Sequence, residues 1–199
     1  MSEMKRKLPK QKRAERTVDI LTEATIQVFD QSEPKFTTNH IAERAGFAVA
    51  TLYRYFPDKN ALLRFLVMRE AEKVAKRVRN TIAMSNATKG DVLIEEAIAE
   101  SMDIFDSRSR PAHNVRVLVQ QDKDLAADVD NVRLQTARQL YERLMEIEPC
   151  RFPEISDAKL LTIAEAFKAA LIALERGSED KKVDIKKRTA LGIALISST

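Results

Sequence analysis

The chain has 199 residues, 44% of them hydrophobic and 32% charged, with four glycines, six prolines and no tryptophan. That length can bury one or two modest cores, the apolar content excludes a disordered chain, and so few turn residues disfavour an all-β fold. No apolar run nears the roughly 20 residues that cross a bilayer, the N-terminus has charge without a signal peptide's apolar stretch, and the single Cys150 allows no intrachain disulfide. A cytoplasmic chain without membrane contact is expected. Cys150 lies between Pro149 and Pro153 and reads as a connector residue, with a redox switch as the alternative.

Net charge is +4 but unevenly placed. Residues 1–16 hold Lys5, Arg6, Lys7, Lys10, Lys12, Arg13 and Arg16 against Glu3 and Glu15, which leaves the rest of the chain nearly neutral. A basic arm over residues 1–12 can reach phosphates or a minor groove, where Lys and Arg gain affinity by releasing counterions. A solvated tail is the alternative. The first helix is expected over residues 13–32, with Ile20, Leu21, Ala24, Val28 and Phe29 recurring at three and four as its buried stripe. Pro34 follows its end. Thr37 and Thr38 form the cap region of a short second helix through Ala45, because a hydroxyl there accepts an orphan backbone N–H. Gly46 then supplies the positive φ of a tight turn. The third helix, residues 49–55, is stopped by Pro57, and Asp58 is the N-cap of a long fourth helix from Lys59 to about residue 84. Short helix, glycine turn and short helix in close succession read as a helix-turn-helix, and so point to DNA.

Beyond the fourth helix, Thr88 opens a segment with Val92, Leu93, Ala97, Ile98, Met102 and Phe105 at helical spacing, closed by residues 107–111. A short apolar piece at 115–119 precedes a long helix over 124–147, striped by Leu125, Val129, Val132, Thr136, Leu140, Leu144 and Ile147. Two last helices, 156–175 and 181–197, are separated by a polar break. The expected class is all-α with about nine helices. Residues 13–58 make a DNA-binding head, and the long fourth helix joins it to a C-terminal helical domain over 59–199.

Residues 16–63 carry Ile20-Leu21-x-x-Ala24, Phe29, Thr37-Thr38, Ile41-Ala42-x-x-Ala45-Gly46 and Leu52-Tyr53-x-Tyr55-Phe56-x-x-Lys59-x-x-Leu62. In this order and spacing the segment resembles the TetR family of transcriptional regulators. The match covers about a quarter of the chain; the remainder agrees only in helical character and length. Three positions depart from the usual pattern. Glu33 stands where glycine commonly follows the first helix, Ala48 where a serine often caps the recognition helix, and Ala50 where glycine is frequent. The loss of a capping hydroxyl at Ala48 typically costs about 1 kcal/mol of helix stability.

Candidate DNA contacts follow residue by residue. Thr38, at a helix start with a hydroxyl and outward backbone N–H groups, suits a phosphate, with Thr37 beside it. The resemblance implies backbone contacts from Tyr53 and Lys59, and Tyr55 can also donate a phenolic O–H; core packing is the alternative for the aromatics, most of all for Phe56. Ala48, Val49 and Ala50 cannot make bidentate hydrogen bonds to a base edge but can pack on a thymine methyl, and Thr51 can do either. T-rich contacted steps are therefore expected, with Arg44 and Arg54 supplying phosphate or guanine contacts.

One small head reads too few base pairs to be selective, so a homodimer on a palindromic site is expected. Its surface is expected on the last two helices, where Ala166 and Ala170 permit close approach and Ile163, Phe167, Leu171, Leu174 and Ile193 add apolar area. An intrachain core is the alternative for these residues. The resemblance further implies an effector pocket among the later helices. Met102, Phe105, His113, Leu118, Gln121, Tyr141, Met145 and Phe167 are its candidate lining, suited to a small, mainly hydrophobic molecule.

Catalysis finds little support. His40 and His113 are the only histidines, and no metal-spaced cluster, P-loop, dinucleotide fingerprint or nucleophile elbow occurs. No cofactor or metal is expected. The leading expectation is a ligand-responsive homodimeric regulator, most often a repressor in this family, released from its operator by the effector. A constitutive or architectural DNA-binding dimer controlled by a protein partner is the alternative, and an all-α enzyme a distant third.

Overall fold

The computed structural model describes residues 12–30, 37–106, 119, 121–174 and 181–197. These form eight α-helices and no strand: α1 Lys12–Asp30, α2 Thr38–Arg44, α3 Val49–Tyr55, α4 Lys59–Met84, α5 Gly90–Asp106, α6 Lys123–Ile147, α7 Asp157–Leu174 and α8 Lys181–Ser197. The apolar piece expected at 115–119 lies, but for its last residue, outside the described residues, as does the basic arm up to residue 11. The chain divides into two compact units, Met1–Glu70 with Arg108–Leu125, and Ala71–Ser107 with Ala126–Thr199.

The first unit is built around Val18, Leu21 and Ala24 of α1, Ile41 of α2, Leu52 of α3, Phe56, and Leu62 of α4. The buried face of α1 differs from the expected stripe. Ile20 is 41% exposed, whereas Thr22 and Thr25 are buried. Their hydroxyls donate to the carbonyls of Val18 and Leu21, at 2.9 and 2.7 Å, so two polar residues enter the core already satisfied by their own helix. Helices α2 and α3 have seven residues each, too few to persist alone. Thr37 caps α2, accepting from the His40 N–H at 3.3 Å. Gly46, at φ 70°, turns the chain, and the Phe47 N–H closes onto the Ala42 carbonyl at 2.9 Å. Ala48 offers α3 no side-chain cap, as its lack of a hydroxyl dictates. Phe56 is buried against Phe65, with ring centroids 5.4 Å apart, and Asp58 caps α4 through the Ala61 N–H at 2.8 Å.

Two polar ties complete this unit. Arg69 of α4 reaches Asp19 at 2.8 Å and Thr22 at 2.9 Å on α1. Arg64 pairs with Asp122, whose other oxygen accepts the Leu125 N–H at 3.0 Å and so caps α6. The Leu125 N–H, and after it the Arg64 guanidinium, hold the Asp122 carboxyl below its ordinary value against an opposing contribution from burial. A carboxylate lowered in this way stabilises the fold fully above its unfolded value near 3.9, and the contribution is lost as pH falls through the folded value. Asp122→Ala is expected to cost on the order of 1 kcal/mol at neutral pH in urea unfolding, and the two proteins should converge in stability below about pH 4.

The second unit packs Val78 and Ile82 of α4, Leu93, Ile94, Ala97 and Ile98 of α5, Tyr141 and Leu144 of α6, Leu160 and Ile163 of α7, and Ile196 of α8 around one core. On α5 the buried stripe includes Ile94, while Val92 is exposed. Helix α8 lies against both α5 and α7. Gln139 donates to the Arg79 carbonyl at 3.1 Å, Arg79 donates to Thr136 at 3.3 Å, and Arg77 pairs with Glu100 at 2.6 Å, binding α4 to α6 and α5. The turn after α6 folds back under α5. Tyr141 donates to the Pro153 carbonyl at 2.7 Å and meets Phe152 edge-on, and the Glu148 carboxylate accepts the Gly90 N–H. A Cβ at position 90 would stand 2.5 Å from a Phe152 ring carbon and 2.8 Å from a Glu148 oxygen. Gly90→Ala must displace a buried ring, so thermal or urea unfolding should show a loss of about 1–3 kcal/mol; an unchanged midpoint would mean that the ring moves freely.

Candidate DNA interface

The outer surface of the first unit gathers several of the expected contact residues. Because Ile41 and Leu52 anchor the inner faces of α2 and α3, the opposite sides of these short helices face outward. Thr38 at the start of α2 and Tyr53 in the middle of α3 meet there, with their oxygens 3.2 Å apart. Tyr53 is 42% exposed, unusual for a tyrosine between two helices with apolar inner faces. One hydroxyl of the pair donates to the other, which leaves a second proton for an outside acceptor. Two adjacent hydroxyls beside the unsatisfied first N–H groups of a helix suit a phosphate oxygen.

The neighbouring residues divide by what they do. Ala48 and Ala50 are exposed, Val49 and Thr51 half-buried, so α3 presents a small-sided, largely apolar edge. Lys59 is exposed at the first turn of α4. Arg54 folds over the Tyr55 ring, 5.0 Å from its centroid, and donates to the Tyr55 hydroxyl at 3.0 Å. Arg44 turns towards α1, where its Nε donates to Gln27 at 2.8 Å, and Gln27 in turn donates to Glu23 at 3.2 Å. Sequence reading had no signal for this relay, since Gln27 and Arg44 are 17 residues apart. Phe56 serves the core.

Of the residues expected around an effector, Tyr141, Met145 and Gln121 have described side chains. Tyr141 is buried with its hydroxyl committed to Pro153, and burial pushes that hydroxyl's pKa up. Met145 packs on the core of the second unit, and Gln121 is exposed in the first. His113 and Leu118 lie outside the described residues, as do the side chains of Met102, Phe105 and Phe167. Of the positions expected at a dimer surface, Ile163 is buried within the core of its own chain and Ile193 packs against it. The side chains of Ala166, Ala170, Leu171 and Leu174 are not among those described. An open groove of about 700 Å³, absent from the sequence expectations, runs past Met84, Ser85, Lys89, Val92 and Glu96. No group of His, Cys, Asp and Glu suited to a metal ion occurs among the described residues, and none of their helices is long and apolar enough to cross a membrane.

Residues 21–65 match the model of the bacterial regulatory proteins of the tetR family. The chain is 28% identical over 157 residues to the HTH-type transcriptional repressor KstR of Rhodococcus jostii, which covers 78% of this chain and 70% of that protein. It is 36% identical over 73 residues to an uncharacterized HTH-type transcriptional regulator of Mycobacterium tuberculosis, 36% of either chain. A putative TetR-family regulator from Mesorhizobium loti shares the fold, with a TM-score of 0.65 at 14% identity over 94% of this chain and 98% of that one. Fold and outer surface together define a helix-turn-helix DNA-binding regulator. Residues 21–65 thus match a TetR-family helix-turn-helix, and these likenesses support a TetR-family regulator.

The chemistry of the surface separates two kinds of contact. Tyr53→Phe or Thr38→Val removes a neutral donor, so DNA affinity should fall about tenfold with the salt dependence unchanged. Lys59→Ala should also lower the slope of log affinity against log salt by about 1. Binding by Tyr53→Phe at wild-type strength, read by fluorescence anisotropy over a salt series, would remove the hydroxyl pair from the interface.

Proposed function

We propose that this chain is a ligand-responsive transcriptional repressor that binds a palindromic operator as a homodimer and leaves it when a small, mainly hydrophobic effector is bound. The single observation that carries the DNA reading is the Thr38–Tyr53 hydroxyl pair beside the exposed edge of α3. It suits the clamping of a phosphate while Ala48, Val49, Ala50 and Thr51 lie against base edges. Arg44, Arg54, Tyr55 and Lys59 then serve the flanking backbone, with Thr37 holding the start of α2. Repression is supported by the likeness to KstR of Rhodococcus jostii, an HTH-type transcriptional repressor.

A head of this size needs a second copy for selectivity, and two recognition helices about 34–36 Å apart would read successive major grooves. We assign self-association to α7 and α8, where Leu161 is an exposed aliphatic residue and the alanine-rich stretch from Ala164 to Ala173 permits close helix approach. Effector and DNA then compete through one equilibrium, so each must weaken the other's affinity by the same factor.

Footprinting of the DNA flanking the chain's own gene, combined with sedimentation of the complex, tests this reading. A protected inverted repeat occupied by two chains, with protection lost at high salt, is expected. Equal and weak protection of a scrambled duplex, or one chain per site, would contradict it.

A further inference from the structure

Arg44 ends α2, immediately before the C-cap Ala45 and the turn at Gly46, and is exposed there. Its Nε donates to the Gln27 amide oxygen on α1 at 2.8 Å, and the Gln27 amide nitrogen donates to the Glu23 carboxylate at 3.2 Å. Glu23 and Gln27 share one face of α1, as residues four apart do. Leu21, Ala24 and Thr25 are buried on the opposite side, which turns that face outward. A glutamine amide can offer either its oxygen or its nitrogen to a neighbour. The Glu23 carboxylate only accepts, so it takes the amide nitrogen and leaves the oxygen for the guanidinium. With the amide reversed, two donors would meet at Arg44 and two acceptors at Glu23.

The bond to Gln27 uses the Nε–H of the guanidinium. The two terminal nitrogens form the end of the fork, and that end can hold two phosphate oxygens at once. An exposed arginine loses rotamer freedom when a ligand fixes it, and one already tied to a neighbouring helix loses less. The tie is also neutral. A carboxylate in direct contact would oppose the positive charge that a phosphate needs. The Gln27 amide stands between Glu23 and Arg44 instead, and passes on orientation without setting an opposing charge against the guanidinium.

We propose that Gln27, itself oriented by Glu23, is a positioning residue that holds Arg44 for a DNA phosphate, which extends the DNA-binding apparatus from α2 and α3 onto α1. This rests on the assignment of Arg44 to the DNA backbone above. The test uses the full-length protein and a duplex carrying the footprinted site, with affinity followed by fluorescence anisotropy over a salt series. A scrambled duplex is run beside it, because a phosphate contact is made whether or not a specific operator exists. Gln27→Met keeps the length of the side chain and removes the acceptor. It should weaken binding about three- to tenfold and leave the slope of log affinity against log salt unchanged, since Arg44 keeps its charge. Arg44→Ala should weaken binding and lower that slope by about 1. Adding Gln27→Met to Arg44→Ala should cost nothing more. Gln27→Glu keeps an acceptor but pairs Arg44 directly with a negative charge, so it should weaken binding and lower the slope; most of that loss should vanish once Arg44 is alanine.

Wild-type affinity in Gln27→Met or Gln27→Glu, or losses from Gln27→Met and Arg44→Ala that simply add, would overturn the proposal. Arg44→Ala that binds like the wild type would remove the Arg44 contact itself, and the positioning role with it. A loss in Arg44→Ala without one in Gln27→Met would keep the contact and remove only the part played by α1. Melting temperatures of the free variants are measured in parallel. Gln27→Met should melt close to the wild type, because the amide bonds are made at the surface. A much lower melting temperature, with the same loss of affinity whether or not Arg44 is present, would mean that Gln27 is structural.

Discussion

Helices α2 and α3 have too few residues to hold their shape unaided, so everything that the head presents depends on the apolar cluster beneath them. Leu21, Ile41, Leu52 and Leu62, each fully buried and each from a different helix, form the centre of that cluster. They fix the rotation of α2 and α3 about their axes, and thereby decide that Thr38 and Tyr53 meet on the outside. Gly46 makes the arrangement possible, because the turn between the helices passes through φ 70°, where a side chain is costly. The surface proposed to touch DNA is in this sense the outer side of a packing problem solved inside.

The second unit shows a different economy. Its core is almost wholly aliphatic and aromatic, drawn from five helices, and its ties are made by long polar side chains on α4. Arg77 and Arg79 bind that helix to α5 and α6. Arg64 and Arg69 do the corresponding work in the first unit. The same helix therefore carries a series of arginines, each committed to a partner on another element. These ties are partly exposed and individually modest; their effect is to fix which faces meet, while apolar burial supplies most of the stabilisation.

Much of the head was legible in the sequence because its signals are local. Thr37, Gly46, Pro57 and Asp58 mark helix ends within a few residues of the groups they satisfy, and the bounds of α2, α3 and α4 follow from them. Periodicity was less informative at single positions: it placed Ile20 and Val92 inside, whereas the structure turns both outward in favour of Thr25 and Ile94. A threonine that bonds its own helix is apolar enough for a core, and a hydropathy pattern does not register that. Pairings between distant residues were not legible at all. Arg64 and Asp122 are 58 residues apart and Gln139 lies 60 from Arg79, and nothing local announces either. For the same reason the effector residues remained a set of plausible apolar positions, since an apolar side chain bound for a core and one bound for a ligand carry the same local signal.

The proposed DNA-reading surface, with hydroxyls, Lys59 and two arginines around a small-sided apolar helix edge, should recognise shape and methyl groups more than hydrogen-bonding edges. Selection of bound duplexes from a fully random library by the full-length protein tests this most directly. An enriched inverted repeat is expected, its half-sites carrying thymine at the major-groove positions nearest the recognition helices. An enriched pool with no shared sequence, or half-sites holding only G·C pairs at those positions, would contradict it.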